Sequence, residues 1–153
     1  MSKIEFLSPC EGEIMNIEKF PDDVFSERAL GDGFGVNLTG NKIVAPFDGE
    51  VTVMYPSGHA VCLAGDNGVK LMVHVGVETY KLEGLNKTYV KVGDRVKKGD
   101  LLIKADVRKM KKKTGNTATA VIFLEGEEVV SLKDGYSVKC LDSVAEIEVK
   151  END

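Results

Sequence analysis

Along this chain, apolar residues alternate with polar ones or gather in short runs, and Gly, Asp and Asn separate the runs. Stretches with the 3.6-residue period of a helix are scarce. The pattern predicts an all-β fold, an antiparallel β-sandwich or flattened barrel with one or two short helices. Residues 106–113, DVRKMKKK, are the best short-helix candidate, with Asp106 as N-cap and Gly115 as stop. Residues 20–30 read as a loop with one helical turn, running through Gly31-Asp32-Gly33-Phe34-Gly35-Val36 into a strand. Strands are expected at 118–124, 128–132, 136–141 and 145–149, and short strands flank two Gly-Asp turns within 91–102. Two segments, Ser8-Pro9-Cys10-Glu11-Gly12-Glu13-Ile14 and Ala45-Pro46-Phe47-Asp48-Gly49-Glu50-Val51, share the order small-Pro-x-acid-Gly-Glu-aliphatic, which suggests two related strand-turn-strand units. The tail, residues 150–153, is expected to fray.

Residues 55–78 hold both histidines of the chain, His59 and His74, on either side of a turn signal at Asp66-Asn67-Gly68. This reads as a β-hairpin with one imidazole on each strand. A two-residue loop sets His59 opposite or diagonal to His74 and puts both rings on one face, with Cβ atoms roughly 4.5–8 Å apart. A three-residue loop would send them to opposite faces. Parity also puts Tyr55 and Met72 on the histidine face and Cys62, three residues from His59, on the other.

Composition narrows the classes. The 153 residues are expected to form one domain with its core over about residues 5–150. A net charge of −5 gives no reason to expect nucleic acid or an anionic membrane as partner. No apolar run approaches the roughly 20 residues that span a bilayer, so no direct membrane insertion is expected. The start, MSKIEFLSPCEGEI, lacks the pattern of a signal peptide, and three cysteines (Cys10, Cys62, Cys140) suit a reducing cytoplasm better than a disulfide framework. The segment GDGFG is neither a phosphate-binding loop nor a dinucleotide fingerprint.

The histidine pair has four readings. It is an ordinary core or surface pair, half of a zinc site, part of a hydrolytic triad, or a phosphoryl carrier. A closed zinc site needs four ligands, and the cysteines lack paired spacing. A triad needs an exposed nucleophile, and no G-x-S-x-G stretch exists. An imidazole nitrogen is nucleophilic near neutral pH, and a second imidazole beside it can donate to phosphoryl oxygens. Ser57 lies two residues before His59 and can hydrogen-bond to a ring. Gly76 would let a phosphoryl group approach the backbone, and Glu78 would orient a ring or a partner. Taken alone, Ser57 and Glu78 also read as a turn residue and a solvated charge. The run Arg108, Lys109, Lys111, Lys112 and Lys113 reads as a solvated helix face.

Several stretches together carry a family resemblance: VFSER through GDG at 24–33, IVAPFDG at 43–49, SGHA at 57–60, LMVHVGVET at 71–79 and GDRVKKGD at 93–100. In this order they resemble the glucose-type enzyme IIA of the phosphoenolpyruvate-dependent sugar phosphotransferase system, a resemblance that extends over about residues 5–150. The resemblance implies that His74 takes a phosphoryl group on Nε2 from the carrier protein HPr and passes it to a cysteine of a sugar-specific IIB domain. It makes His59 the supporting histidine, puts Ser57 where the family usually has Thr, and puts Glu78 where many members have Asp. It implies an apolar docking rim at Val24, Phe25, Ala29, Leu30, Tyr55 and Met72, with no metal and no cofactor. Departures follow Gly33, where the family commonly has a small apolar run, and Gly84, where Leu85-Asn86-Lys87-Thr88 replaces a frequent Gly-Phe pair. The rival readings are a lipoyl- or biotinyl-type carrier module, which needs a lysine at a hairpin tip, and a two-histidine zinc hydrolase, which needs a further ligand.

Overall fold

The computed structural model describes residues 2–79 and 82–149, so the tail at 150–153 lies outside the described residues. The alternating runs become strands β1 (Ser2–Leu7), β2 (Cys10–Asn16), β3 (Gly33–Val44), β4 (Gly49–Met54), β5 (Ala60–Gly65), β6 (Lys70–His74) and β7 (Asn86–Thr88). They continue as β8 (Arg95–Val96), β9 (Leu101–Ala105), β10 (Ala118–Phe123), β11 (Glu128–Leu132), β12 (Ser137–Val138) and β13 (Ser143–Val149). The helices are α1 (Asp23–Ser26) and α2 (Val107–Thr114). Asp106 caps α2, its side chain accepting from Lys109 N at 2.9 Å, and Gly115 ends it. The strand expected at 136–141 shrinks to β12, because the chain turns directly after it: Asp142 N donates to Lys139 O at 3.1 Å, with Leu141 at a left-handed φ of 71° inside the turn.

Ten strands form one antiparallel sheet in the order β12-β2-β3-β10-β6-β5-β4-β8, with β9 on β3 and β7 on β9. A second sheet, β1-β13-β11, packs against it. Phe6 of the small sheet meets Phe34 and Phe123 of the large one edge-on, with ring centroids 6.0 and 4.9 Å apart. Strand β10 is buried on both faces, which explains why its residues are apolar apart from Thr119. Val121 and Phe123 point into the main core, while Ala120 and Ile122 join a smaller cluster with Phe20, Phe25, Cys62 and Met72 on the other face. That smaller cluster includes Phe25, whose ring packs against His74.

The duplicated segments occupy equivalent places. Ser8 accepts from Leu141 N at 2.7 Å and donates to Asp142 O, while Ala45 accepts from Gly99 N at 2.8 Å and donates to Asp100 O. Ile14 pairs in the same way with Gly135 and Tyr136 as Val51 does with Gly93 and Asp94. Each small-Pro segment therefore docks on a similar Gly- or Asp-bearing turn.

Candidate active site

His74 is the last residue of β6, flanked across the sheet by Ala60 of β5 and Ala120 of β10. The small neighbours leave room for its ring. The hairpin turn does not have the two-residue form that the parity argument required. Gly65 N donates to Val69 O at 2.8 Å and Gly68 N to Gly65 O at 3.0 Å, so Asp66, Asn67 and Gly68 are all loop residues. Gly68, at φ 88°, supplies the left-handed third position of such a loop. The register follows: His74 faces Ala60, and Met72 faces Cys62. Cys62 therefore shares the face of His74, contrary to expectation, and burial pushes its thiol pKa up.

The two rings nevertheless meet, with centroids 5.5 Å apart and planes at 69°. Strand parity does not reach His59, which lies before β5 rather than in it. A turn delivers its ring instead. Gly58 N donates to Tyr55 O at 2.8 Å and Tyr55 N to Ala60 O at 3.1 Å, and Gly58 takes a φ of 71°. The Tyr55 ring lies 4.7 Å from that of His59. His59 O in turn accepts from Val75 N at 2.7 Å, tying the turn to the loop after His74.

Hydrogen bonds orient both rings. His74 Nδ1 lies 3.0 Å from Gly76 O. A carbonyl only accepts, so Nδ1 carries the hydrogen and the lone pair of the neutral ring is on Nε2. His59 Nδ1 is hydrogen-bonded to Ser57 Oγ. Burial lowers the pKa of both rings, aided at His59 by the neighbouring imidazole. At His74 the Gly76 bond and the nearby Asp22 carboxylate oppose that shift without reversing it. Both rings are thus held neutral at neutral pH, the state in which an imidazole attacks an electrophile.

Gly76 is tightly packed. It is buried at φ 78°, and a Cβ there would run into Thr79 Cγ2 and approach Met110 Sδ at 3.1 Å. Glycine is needed for the packing and the left-handed turn, and the residue serves His74 through its carbonyl. Thr119 Oγ1 accepts from Gly76 N at 3.2 Å, and Thr79 Oγ1 donates to Val75 O, so two threonines fix the loop. Thr79 is visible in the HVGVET run; Thr119 carries no local signal, since β10 brings it from 43 residues away. Glu78 is exposed and itself left-handed, at φ 57°.

The expected rim divides. Val24, Ala29, Leu30 and Tyr55 are exposed, Tyr55 with its ring against His59 and Val24 beside Phe25 in α1. Phe25 and Met72 are buried, correcting their assignment as docking surface. Phe25 packs against His74 with ring centroids 5.1 Å apart and against Phe20 at 5.4 Å, because α1, capped by Asp22, lays it there. Among the described residues, no group of three or more His, Cys, Asp or Glu is placed to hold a metal, and no helix is long and apolar enough to cross a membrane.

Comparison with known proteins gives the same direction from each side. A family model described as phosphoenolpyruvate-dependent sugar phosphotransferase system, EIIA 1, matches residues 4–129. The "PTS system glucose-specific EIIA component" of Staphylococcus epidermidis is 35% identical over 130 residues, covering 84% of this chain and 78% of that protein. Its counterpart from Bacillus cereus is 33% identical over 142 residues, covering 92% and 86%. The solved structure of glucose permease IIA from Mycoplasma capricolum superposes with a TM-score of 0.86 at 32% identity, over 95% of this chain and 96% of that one.

Proposed function

This chain belongs to the EIIA 1 family of the phosphoenolpyruvate-dependent sugar phosphotransferase system, and from that premise we propose that it is a phosphocarrier using His74. In the first step, Nε2 of neutral His74 attacks the phosphorus of phosphohistidine on HPr. The N–P bond to HPr breaks as the Nε2–P bond forms. In the second, a cysteine thiolate of a sugar-specific IIB domain displaces the group, breaking Nε2–P and forming S–P. The observation that carries the reading is the Nδ1–H of His74 on Gly76 O, which leaves Nε2 as the nucleophile.

His59 is the supporting group. With the Ser57 hydroxyl donating to Nδ1, the His59 proton sits on Nε2 and donates to the phosphoryl oxygens as charge develops there. Catalysis of this kind is positioning plus charge stabilisation and needs no metal or nucleotide from the carrier. Glu78, exposed beside the site, is read as an orienting charge toward the partner. The exposed Val24, Ala29, Leu30 and Tyr55 are read as a docking rim for HPr and IIB in turn. We read residues 1–153 as one functional domain acting in the cytoplasm.

The test is incubation with phosphoenolpyruvate, enzyme I and HPr, followed by intact-mass analysis with and without acid. One acid-labile phosphoryl group is expected on the wild type and none on His74→Ala. An unmodified wild-type protein, or a phosphorylated His74→Ala, contradicts the reading.

A further inference from the structure

The turn that presents Ser57 and His59 is not held by its own residues alone. Its middle residue, Gly58, presses against β7: a Cβ there would lie 3.0 Å from Thr88 Cγ2 and 3.1 Å from Asn86 Cβ. Across this contact Asn86 Nδ2 donates to Gly58 O at 3.1 Å. Because a carbonyl only accepts, the amide nitrogen must be the atom facing Gly58, which turns Oδ1 the other way. That Oδ1 is buried and has no hydrogen-bond partner among the described residues. A buried acceptor left unmatched opposes folding, and an apolar residue of similar size would avoid it. The amide is thus kept for the Gly58 bond at the expense of its own second atom.

We propose that Asn86 is a positioning residue for the supporting histidine, an inference that rests on the phosphocarrier reading above. The Gly58 carbonyl belongs to the peptide that joins Gly58 to His59, so fixing its oxygen fixes the plane from which His59 departs. His59 O is fastened on its other side to Val75 N, in the loop that orients His74. Asn86 also sits on a fixed platform, because β7 pairs with β9 from Asn86 opposite Ala105 to Thr88 opposite Ile103. The strand therefore transmits a defined position through Gly58 to the His59 ring, while Asn86 itself touches no phosphoryl group. The His74 ring is oriented by the Gly76 carbonyl, with Gly76 N held by Thr119, and takes its ring hydrogen bond from neither Asn86 nor the Gly58 turn.

The test compares wild type with Asn86→Asp, which keeps the shape and loses the donor, and with Asn86→Ala. Phosphoryl acceptance from phospho-HPr and donation to a IIB domain are measured separately, and imidazole ¹H–¹⁵N spectra are recorded on the unphosphorylated proteins. Acceptance is expected to stay within about twofold, while donation falls roughly tenfold, the effect of a modest misplacement of a catalytic group. The His59 ring signals shift and those of His74 remain. Unmoved His59 signals with unchanged donation would overturn the proposal. So would an equal loss in both half-reactions with a lowered Tm, which marks a merely structural residue. The ring spectra need no phosphoryl transfer, so a wild type that fails to accept phosphate sinks the carrier reading while the Asn86–His59 link is still judged.

Discussion

His74 ends a strand in the middle of the larger sheet, with β5 and β10 on either side, while His59 stands outside any strand on a turn at the sheet's end. The first ring is held by a backbone carbonyl and floored by Phe25. The second is held by a serine hydroxyl, lies against an exposed tyrosine, and depends on a turn fastened by a remote amide. One histidine is set by the strand that ends in it, and the other by a turn fastened from outside. For a group that must carry a covalent load between partners this division makes sense. On the proposed phosphocarrier reading, the acceptor atom needs a fixed tautomer and position, and the supporting donor needs a place that is set separately from it.

Breaking each half should therefore have unequal consequences. The largest effect is expected at His74: His74→Ala should abolish acceptance, read as loss of the acid-labile mass increment. Next is His59→Ala, which should still accept phosphate but pass it to IIB about 100-fold more slowly, the usual effect of removing one charge-stabilising donor. Single-turnover transfer from purified phosphoprotein measures this, and loss of acceptance instead of donation would reverse the assigned roles. Gly76→Ala should be smaller in chemistry but large in stability. Forcing a Cβ into a left-handed, filled position should destabilise by about 2–4 kcal/mol in denaturant titrations, and a change under 1 kcal/mol would refute the packing account.

The gentlest probe is pH. Burial holds the His74 pKa below the ordinary histidine value, so the unfolded chain binds more protons in the window between the two values. The associated stability is complete above the ordinary value and is lost as pH falls through it toward the folded value. Neutral His74 likewise persists below the ordinary value, so the acid limb of the acceptance rate should lie lower than that of a free imidazole. Phe25→Ala uncovers the ring and should move that limb upward. Titration of the His74 ring signals by NMR checks both; an unmoved limb would separate burial from nucleophile ionisation.

Much of this was legible in the residues themselves. Alternation predicted the strands, Asp106 and Gly115 bracketed α2 as expected, and the duplicated small-Pro segments occupy matching places. The hairpin register was not legible, because Asp66-Asn67-Gly68 admits two loop lengths and only the backbone decides that Gly68 is its third residue. That one-residue difference moved Cys62 to the histidine face and removed the parity argument for His59, whose ring is delivered by the Tyr55–Ala60 turn instead. Met72 has the alternation of a rim residue, yet it is buried in the cluster that Phe20 and Phe25 complete from a distant segment. Thr119 and Asn86 were invisible for the same reason: pairings 43 and 28 residues apart bring them to the loops they hold.

If the backbone bond at Nδ1 makes Nε2 of His74 the phosphoryl acceptor, the phosphorylated ring must carry the group on that atom. The most direct measurement is a long-range ¹H–¹⁵N imidazole spectrum of the phosphorylated protein with phosphorus coupling observed. A single phosphorus-coupled nitrogen is expected, Nε2 of His74, with Nδ1 still protonated and the His59 ring unmodified. Coupling at Nδ1 of His74, or at either nitrogen of His59, would contradict it.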